Sequence, residues 1–277
     1  MSKIGVCEWC LPVSGPFALD FAKDAGFEGI QLSDLGGSGM GFPMTNEFIR
    51  EGYREAAKRT GVILQSMHLH TLVRDGGHIY PMNSPEGQEA NKNIKNGVDS
   101  CEAMGIDCLN ISAFFQSEVK NDYDLKNLID HLKYAAEYGK DHGVYVAYEP
   151  GVKIDKIFEI LDKVPGLTIN YDLTNPRSLG NGEPLEEIAQ LGAEVIDHVH
   201  VKDSYRDKWG KYQGSRFAGQ GTGRIREAIH LLKSLGFDKW YLSESNYLNP
   251  LPYGVGPDIS LVCRKDCEAI REIVANA

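Results

Sequence analysis

The chain has 277 residues, 42% of them hydrophobic and 25% charged, with a formal net charge of −10. That balance excludes disorder as the main state and suits a single domain over residues 1–277, close to the roughly 250 residues of a closed α/β barrel. The acidic charge argues against phosphate-backbone binding, and apolar runs such as Val144–Ala147 fall far short of the about 20 residues that cross a bilayer, so neither nucleic acid nor membrane is an expected partner.

Short apolar, β-branched runs alternate with segments of helical periodicity from end to end, the pattern of βα units on a parallel sheet. In chain order the predicted strands are Ile4–Glu8, Gly29–Leu32, Val62–His68, Cys108–Ser112, Val144–Glu149, Leu167–Asp172, His198–Val201 and Trp240–Glu244. Helices are predicted after them at 18–25, 46–59, 86–104, 125–141, 153–163, 185–191, 224–235 and 259–273, where apolar residues recur at three and four positions. Glycine stands between several helices and the next strand, as in Ala25-Gly26-Phe27, where a left-handed residue lets the chain turn back. Eight such units predict a (β/α)8 TIM barrel. A doubly wound open sheet competes, but its usual GxGxxG turn is absent after the first strand. Six cysteines without an export signal read as reduced, structural thiols in a cytoplasmic protein, and Cys7-Glu-Trp-Cys10 lacks the second pair that would complete a zinc site.

In a parallel barrel, chemistry gathers at the C-terminal ends of the strands. The fifth ends in Glu149-Pro150, the sixth in Asp172 with Asn175-Pro176 beyond it, the seventh in His198-Val-His200-Val-Lys202-Asp203 and the eighth in Glu244-Ser-Asn246. Taken singly, each could begin a solvated loop, and Asp172 could cap a turn. Taken together, two glutamates, an aspartate and an imidazole converging on one mouth repel one another unless a divalent cation joins them. His198 and His200 share one face of their strand, so His200, nearer the end, is the expected ligand, and His198 packs or hydrogen-bonds deeper. Mixed carboxylate and imidazole ligation suits an octahedral Mn²⁺, Co²⁺ or Mg²⁺ better than a closed tetrahedral Zn²⁺ site, and Mn²⁺ is the expected ion with Co²⁺, Mg²⁺ and Zn²⁺ as the alternatives.

The quartet Glu149, Asp172, His200 and Glu244, with His200-x-x-Asp203, the downstream Arg206 and the glycine-rich run Gly219–Gly223, resembles the xylose-isomerase-like barrels. That family includes sugar isomerases, ketose 3-epimerases, inosose dehydratase and endonuclease IV, and the resemblance is nearest to the ketose 3-epimerases. It implies that the quartet holds the metal and that Glu149 and Glu244 also form the acid/base pair acting on a ketose or ketose phosphate. It further implies that Arg206, Lys202, Asn175 and one of the third-strand histidines, His68 or His70, hold hydroxyls or a phosphate. Lys202 reads equally well as charge compensation for the acidic cluster. Glu8 and Trp9, at the end of the first strand, are candidates for the pocket wall. Two positions depart from the epimerase pattern: Asn175 stands where the epimerases carry a histidine, and Asp155 where they commonly carry a glutamate. Both retain hydrogen-bonding capacity and change its reach. The resemblance also suggests a homodimer or homotetramer.

A ketose offering its C2 carbonyl and C3 hydroxyl to such an ion would acquire an acidic C3 proton. Removal by one glutamate and return by the other to the opposite face inverts the stereocentre, whereas one group doing both gives aldose–ketose isomerisation. C3 epimerisation through a cis-enediolate is the expected reaction. A lyase or dehydratase acting on a keto-sugar or keto-inositol starts from the same proton abstraction and is the alternative. An endonuclease IV-like nuclease needs histidines that this chain lacks at 110–115 and at Asn175, and a non-catalytic sugar-binding role leaves the glutamate pair unexplained.

Overall fold

The computed structural model describes residues 2–37, 39–248 and 258–277. Eight parallel strands make the barrel: β1 (Lys3–Cys7), β2 (Gly29–Ser33), β3 (Ile63–His68), β4 (Cys108–Ser112), β5 (Tyr145–Glu149), β6 (Thr168–Asp172), β7 (Ile196–Val201) and β10 (Trp240–Ser243). They close in the order β1-β10-β7-β6-β5-β4-β3-β2, while β8 (Asp203–Arg206) and β9 (Tyr212–Arg216) form a separate antiparallel hairpin. The predicted strands are all present, within two residues at each end. β2 and β4 are buried along their whole length, as strands covered on both faces must be. Helix α1 (Phe17–Ala25) ends where Gly26 takes φ 93° and donates its N–H back to Ala22, the left-handed stop expected from the sequence.

The hairpin and two short helices, α3 (His70–Asp75) and α7 (Asn175–Leu179), are absent from the sequence-based prediction. Five or six residues give too little periodicity to register. His70 therefore belongs to the start of α3, not to the third strand. All six cysteines are buried and unpaired as disulfides. Among the described residues, no helix is long and apolar enough to cross a membrane.

Contact density divides the chain into two compact units. One takes in the chain up to Gln31, Ala56–Ile63 and everything from Tyr171 onward. In it β7, β10 and β1 lie side by side with Leu242 level with His200 and Ser243 level with both Val201 and Val6. The Glu244 N–H continues this ladder to the Val201 carbonyl at 2.9 Å. Helix α10 (Ile259–Ala275) lays Val262, Ile270 and Ile273, all fully buried, into the core of this unit. The second unit comprises Leu32–Glu55 and Leu64–Asn170. Its strands β4 and β5 run in register from Cys108 opposite Tyr145 to Ser112 opposite Glu149.

Candidate active site

The register of β7 and β10 sets the site. Because Leu242 is level with His200, the residues two steps further on, Lys202 and Glu244, emerge together beyond the last paired residues. Lys202 Nζ donates to Glu244 Oε2 at 2.6 Å and lies 3.0 Å from Asp172 Oδ2, an ammonium set between two carboxylates. Trp9, in the 3-10 turn Glu8–Cys10 that follows β1, donates its indole N–H to the other Glu244 oxygen at 3.1 Å. Its ring meets His200 edge-on at 6.0 Å between centroids. Burial pushes Glu244 up, but Lys202, His200 and the two hydrogen bonds outweigh it and hold the carboxyl down at about 2.

Glu149, Asp172, His200 and Glu244 each offer one ligand atom, and those atoms all lie within 4.8 Å of one another. Three of the four side chains sit in residues that are fully or almost fully buried, and Glu244 keeps 17% of its side chain exposed. Asp172 uses one oxygen to cap the turn after β6, accepting from the N–H groups of Thr174 and Asn175 at 2.7 Å each. Its other oxygen is buried and has no hydrogen bond, since Lys202 approaches it only as an ion-pair partner. His200 Nε2 is 2.7 Å from the Gln31 amide oxygen, which can only accept, so Nε2 donates to it. The His200 Nδ1 faces Glu244 Oε2 at 3.6 Å. A buried carboxylate oxygen with no hydrogen bond and a donor set of three carboxylates and one imidazole fit a divalent cation.

Behind the mouth, Gln31 links two histidines. Its amide nitrogen lies 3.0 Å from His198 Nε2, and His198 Nδ1 lies 2.7 Å from the Asp197 carboxylate. His198 is fully buried, as the alternation along the strand led one to expect, and burial depresses its basicity although Asp197 opposes the shift. Cys108, Asp197 and His198 also bring ligand-type atoms within 4.8 Å, but here the imidazole and carboxylate already satisfy each other.

The other sequence candidates divide. His68 ends β3 with Nε2 2.8 Å from Ser112 Oγ and Nδ1 3.1 Å from His70 Nδ1, so the two histidines form one hydrogen-bonded pair. Glu8 is buried and accepts the Gly15 N–H at 2.7 Å, tying down the loop after β1. Asn175 opens α7 with its N–H on Asp172. Asp155 is exposed in the first turn of α6 (Ile154–Lys163). Arg206 ends β8, where its N–H reaches Thr222 Oγ1 at 3.0 Å. The glycine run is a cradle for Asp203, whose carboxylate accepts from the N–H groups of Ser204, Gly221 and Gly223. A Cβ on Gly221 would stand 2.2 Å from Asp203 Oδ1, so no other residue fits there.

Two residues escaped the sequence reading. Gln31 was hidden in an apolar strand, although an amide at a fully buried position of a parallel sheet needs a partner. Asp266, on α10, is fully buried and accepts the hydroxyls of Ser243, Ser245 and Tyr247 on one oxygen and the Ala218 N–H on the other. It pins the residues on both sides of Glu244. Its signal was a charge on the buried face of a helix, between Cys263 and Cys267.

Known proteins extend these observations. Residues 19–265 match the family model of the xylose isomerase-like TIM barrel. The 2-epi-5-epi-valiolone 7-phosphate 2-epimerase of an Actinoplanes species is 24% identical over 233 residues, which is 83% of this chain and 82% of that one. The crystal structure of D-allulose 3-epimerase from a Methylomonas species superposes with a TM-score of 0.74 at 15% identity, over 98% of both chains. A xylose isomerase-like TIM barrel protein from Mycobacterium smegmatis, crystallised with magnesium, gives a TM-score of 0.73 at 15% identity over 100% of this chain and 97% of its own. With nearly its whole length accounted for by one family model, the chain belongs to the xylose isomerase-like TIM-barrel family.

Proposed function

We propose that this protein is a divalent-metal-dependent sugar epimerase that inverts the carbon beside the carbonyl of a ketose or keto-cyclitol, C3 in a ketose, by proton transfer. One observation carries the reading: two glutamates, Glu149 and Glu244, have oxygens within 4.8 Å of each other and of ligand atoms from Asp172 and His200. Two carboxylates at one reacting carbon are what inversion requires, one to take the proton and one to return it from the other face. The names of the Actinoplanes and Methylomonas proteins, a 2-epimerase and a 3-epimerase, support the same class of reaction.

Glu149, Asp172, His200 and Glu244 would hold the ion, which when bound polarises the substrate carbonyl and so acidifies the neighbouring C–H. The remaining roles fall to the chain. Lys202 and Trp9 keep Glu244 ionised and fix both its oxygens, so it meets the substrate as a base. Glu149, buried at the end of β5, is its counterpart for the second proton. Gln31 holds the His200 ring so that Nδ1 faces the site. The His68–His70 pair is the proposed hydrogen-bonding wall for substrate hydroxyls.

The test is NMR in deuterated water on a panel of ketoses, keto-cyclitols and their phosphates. Protein stripped of metal is compared with protein reloaded with Mn²⁺, Co²⁺ or Mg²⁺. Metal-dependent deuterium incorporation beside the carbonyl, with the carbon skeleton and all oxygens retained, is the expected result. Release of a dehydrated or cleaved product would replace the epimerase with a lyase.

A further inference from the structure

Glu244 stands between two serines whose hydroxyls turn to the back of β10. Side chains alternate along an extended chain, so with Glu244 at the mouth Ser243 and Ser245 face the other way, toward α10. There a single carboxylate oxygen, Asp266 Oδ2, accepts from Ser245 Oγ at 2.8 Å, from Ser243 Oγ at 3.0 Å and from the Tyr247 hydroxyl at 2.8 Å. The other oxygen takes the N–H of Ala218 at 2.8 Å, one residue before the glycine run that cradles Asp203. Ser243, Tyr247 and Asp266 are fully buried, and Ser245 almost so. Burial pushes the Asp266 carboxyl up, and the hydrogen bonds from Ala218, Tyr247, Ser245 and Ser243 oppose the shift.

An acid in this place is costly, and packing alone does not account for it. Two alanines, a phenylalanine and a leucine would fill much the same space without burying a carboxylate, and exchanges of that kind are often neutral or stabilising. What apolar contacts lack is direction. Hydrogen bonds to the residues on either side of Glu244 fix the path of the chain through it, and they complete a hold from three sides. The Val201 carbonyl takes the Glu244 N–H at 2.9 Å, Trp9 and Lys202 take its two oxygens at 3.1 and 2.6 Å, and Asp266 grips its neighbours from behind. We propose that Asp266 is a positioning residue for Glu244: from the outer side of β10 it sets where that carboxylate stands, and so how well it meets Trp9, Lys202 and a proton on a reacting carbon. The proton-transfer half of this inference rests on the epimerase reading, and the placement of Glu244 does not. Displacing such a group by about 1 Å is enough to slow a reaction about a hundredfold.

The Trp9 indole N–H reports on Glu244 without metal or substrate, because it donates to the Glu244 carboxylate. Its exchange with solvent is followed by NMR in metal-free protein, with the signal assigned through Trp9→Phe and with Trp240, at the start of β10, as internal reference. Wild type is compared with Asp266→Asn, which keeps the shape but one acceptor oxygen fewer, and with Ile270→Val, which thins the packing of the same helix at a fully buried position. Asp266→Asn is expected to speed Trp9 exchange about tenfold while the Trp240 signal stays in place. Ile270→Val is expected to lower the melting temperature and leave Trp9 exchange unchanged. On metal-loaded Asp266→Asn, with a substrate identified by the deuterium panel, kcat is expected to fall about tenfold or more and KM to stay within about twofold. Unchanged Trp9 exchange in folded Asp266→Asn, an equal acceleration in Ile270→Val, or an unchanged kcat would overturn the proposal. Should Asp266→Asn not fold, Ser245→Ala, which removes one hydrogen bond beside Glu244, decides by the same exchange measurement. Wild-type protein that turns over no member of the panel would remove the epimerase reading and leave the exchange result standing.

Discussion

Two histidines stand two residues apart on β7, point the same way and are both fully buried, yet they occupy opposite chemical situations. In the deeper layer, His198 is closed off: Asp197 accepts from one ring nitrogen and Gln31 meets the other. At the mouth, His200 gives one nitrogen to the same Gln31 and turns the other toward Glu244, in the company of Lys202, Trp9 and Asp172. Burial and residue type are therefore shared, and what the second nitrogen faces separates the two: Asp197 alone for His198, and Glu244 among the clustered carboxylates for His200. An imidazole paired with one carboxylate stabilises the barrel interior, and one set beside a cluster of carboxylates suits a shared cation.

The widest break in this comparison comes from changing each histidine to glutamine in turn. His200→Gln is expected to abolish tight metal binding and to slow metal-dependent proton exchange by about a thousandfold or more. His198→Gln, with the four proposed ligands untouched, is expected to keep its metal affinity and lose no more than about tenfold in exchange. Metal titration and deuterium incorporation measure both. Equal losses in the two variants would erase the distinction between the layers.

A third buried imidazole sharpens it. His78 is fully buried, its two nitrogens lie 3.0 and 3.3 Å from the carbonyls of Ser112 and Gly76, and burial, outweighing those carbonyls, pulls its pKa down from 6.5 to about 4. Since the native value lies below the unfolded one, the unfolded chain binds the extra proton between them. The neutral ring's contribution is complete above pH 6.5 and is lost as pH falls toward 4, up to about 3 kcal/mol. Urea unfolding across that range is expected to show a steeper loss in wild type than in His78→Asn. A parallel pH dependence in the two proteins would mean that the ring is already charged inside.

Gln31 joins the two layers, and Gln31→Leu cuts the join. The variant frees the His200 ring to choose its tautomer and leaves His198 Nε2 without its partner. Metal affinity is expected to fall about 10- to 100-fold, read by competition with a chelator, with the fold intact. These partnerships also mark the limit of what could be read from the residues alone. The barrel was legible because strand and helix periods alternate eight times, and the quartet because each member lies within one residue of a strand's end. Gln31 and Asp266 were not, because each acts across a span of sequence that only the closed fold brings together: Gln31 with His200, and Asp266 with Ser243 and Ala218. His70 was assigned to the wrong element for a local reason, since the chain leaves β3 at His68 and turns into a helix of only six residues. Asp155 followed the epimerase spacing, but its side chain is exposed.

Lys202 offers the finest test, because its two readings predict different metal affinities. It stands 2.6 Å from Glu244 and 3.0 Å from Asp172, where its positive charge both offsets the carboxylates and opposes an incoming cation. Lys202→Met keeps much of the side chain's bulk and removes that charge. If compensation is its role, the metal-free variant carries closely spaced carboxylates without a partner, so it is expected to melt at a lower temperature and to bind Mn²⁺ about tenfold more tightly. The gain in melting temperature on adding metal is then larger than in wild type. If Lys202 instead serves to hold a substrate oxygen, metal affinity stays the same while KM rises. Calorimetric metal titration separates the two, since a repulsion of this kind acts on the ion whether or not a sugar is present.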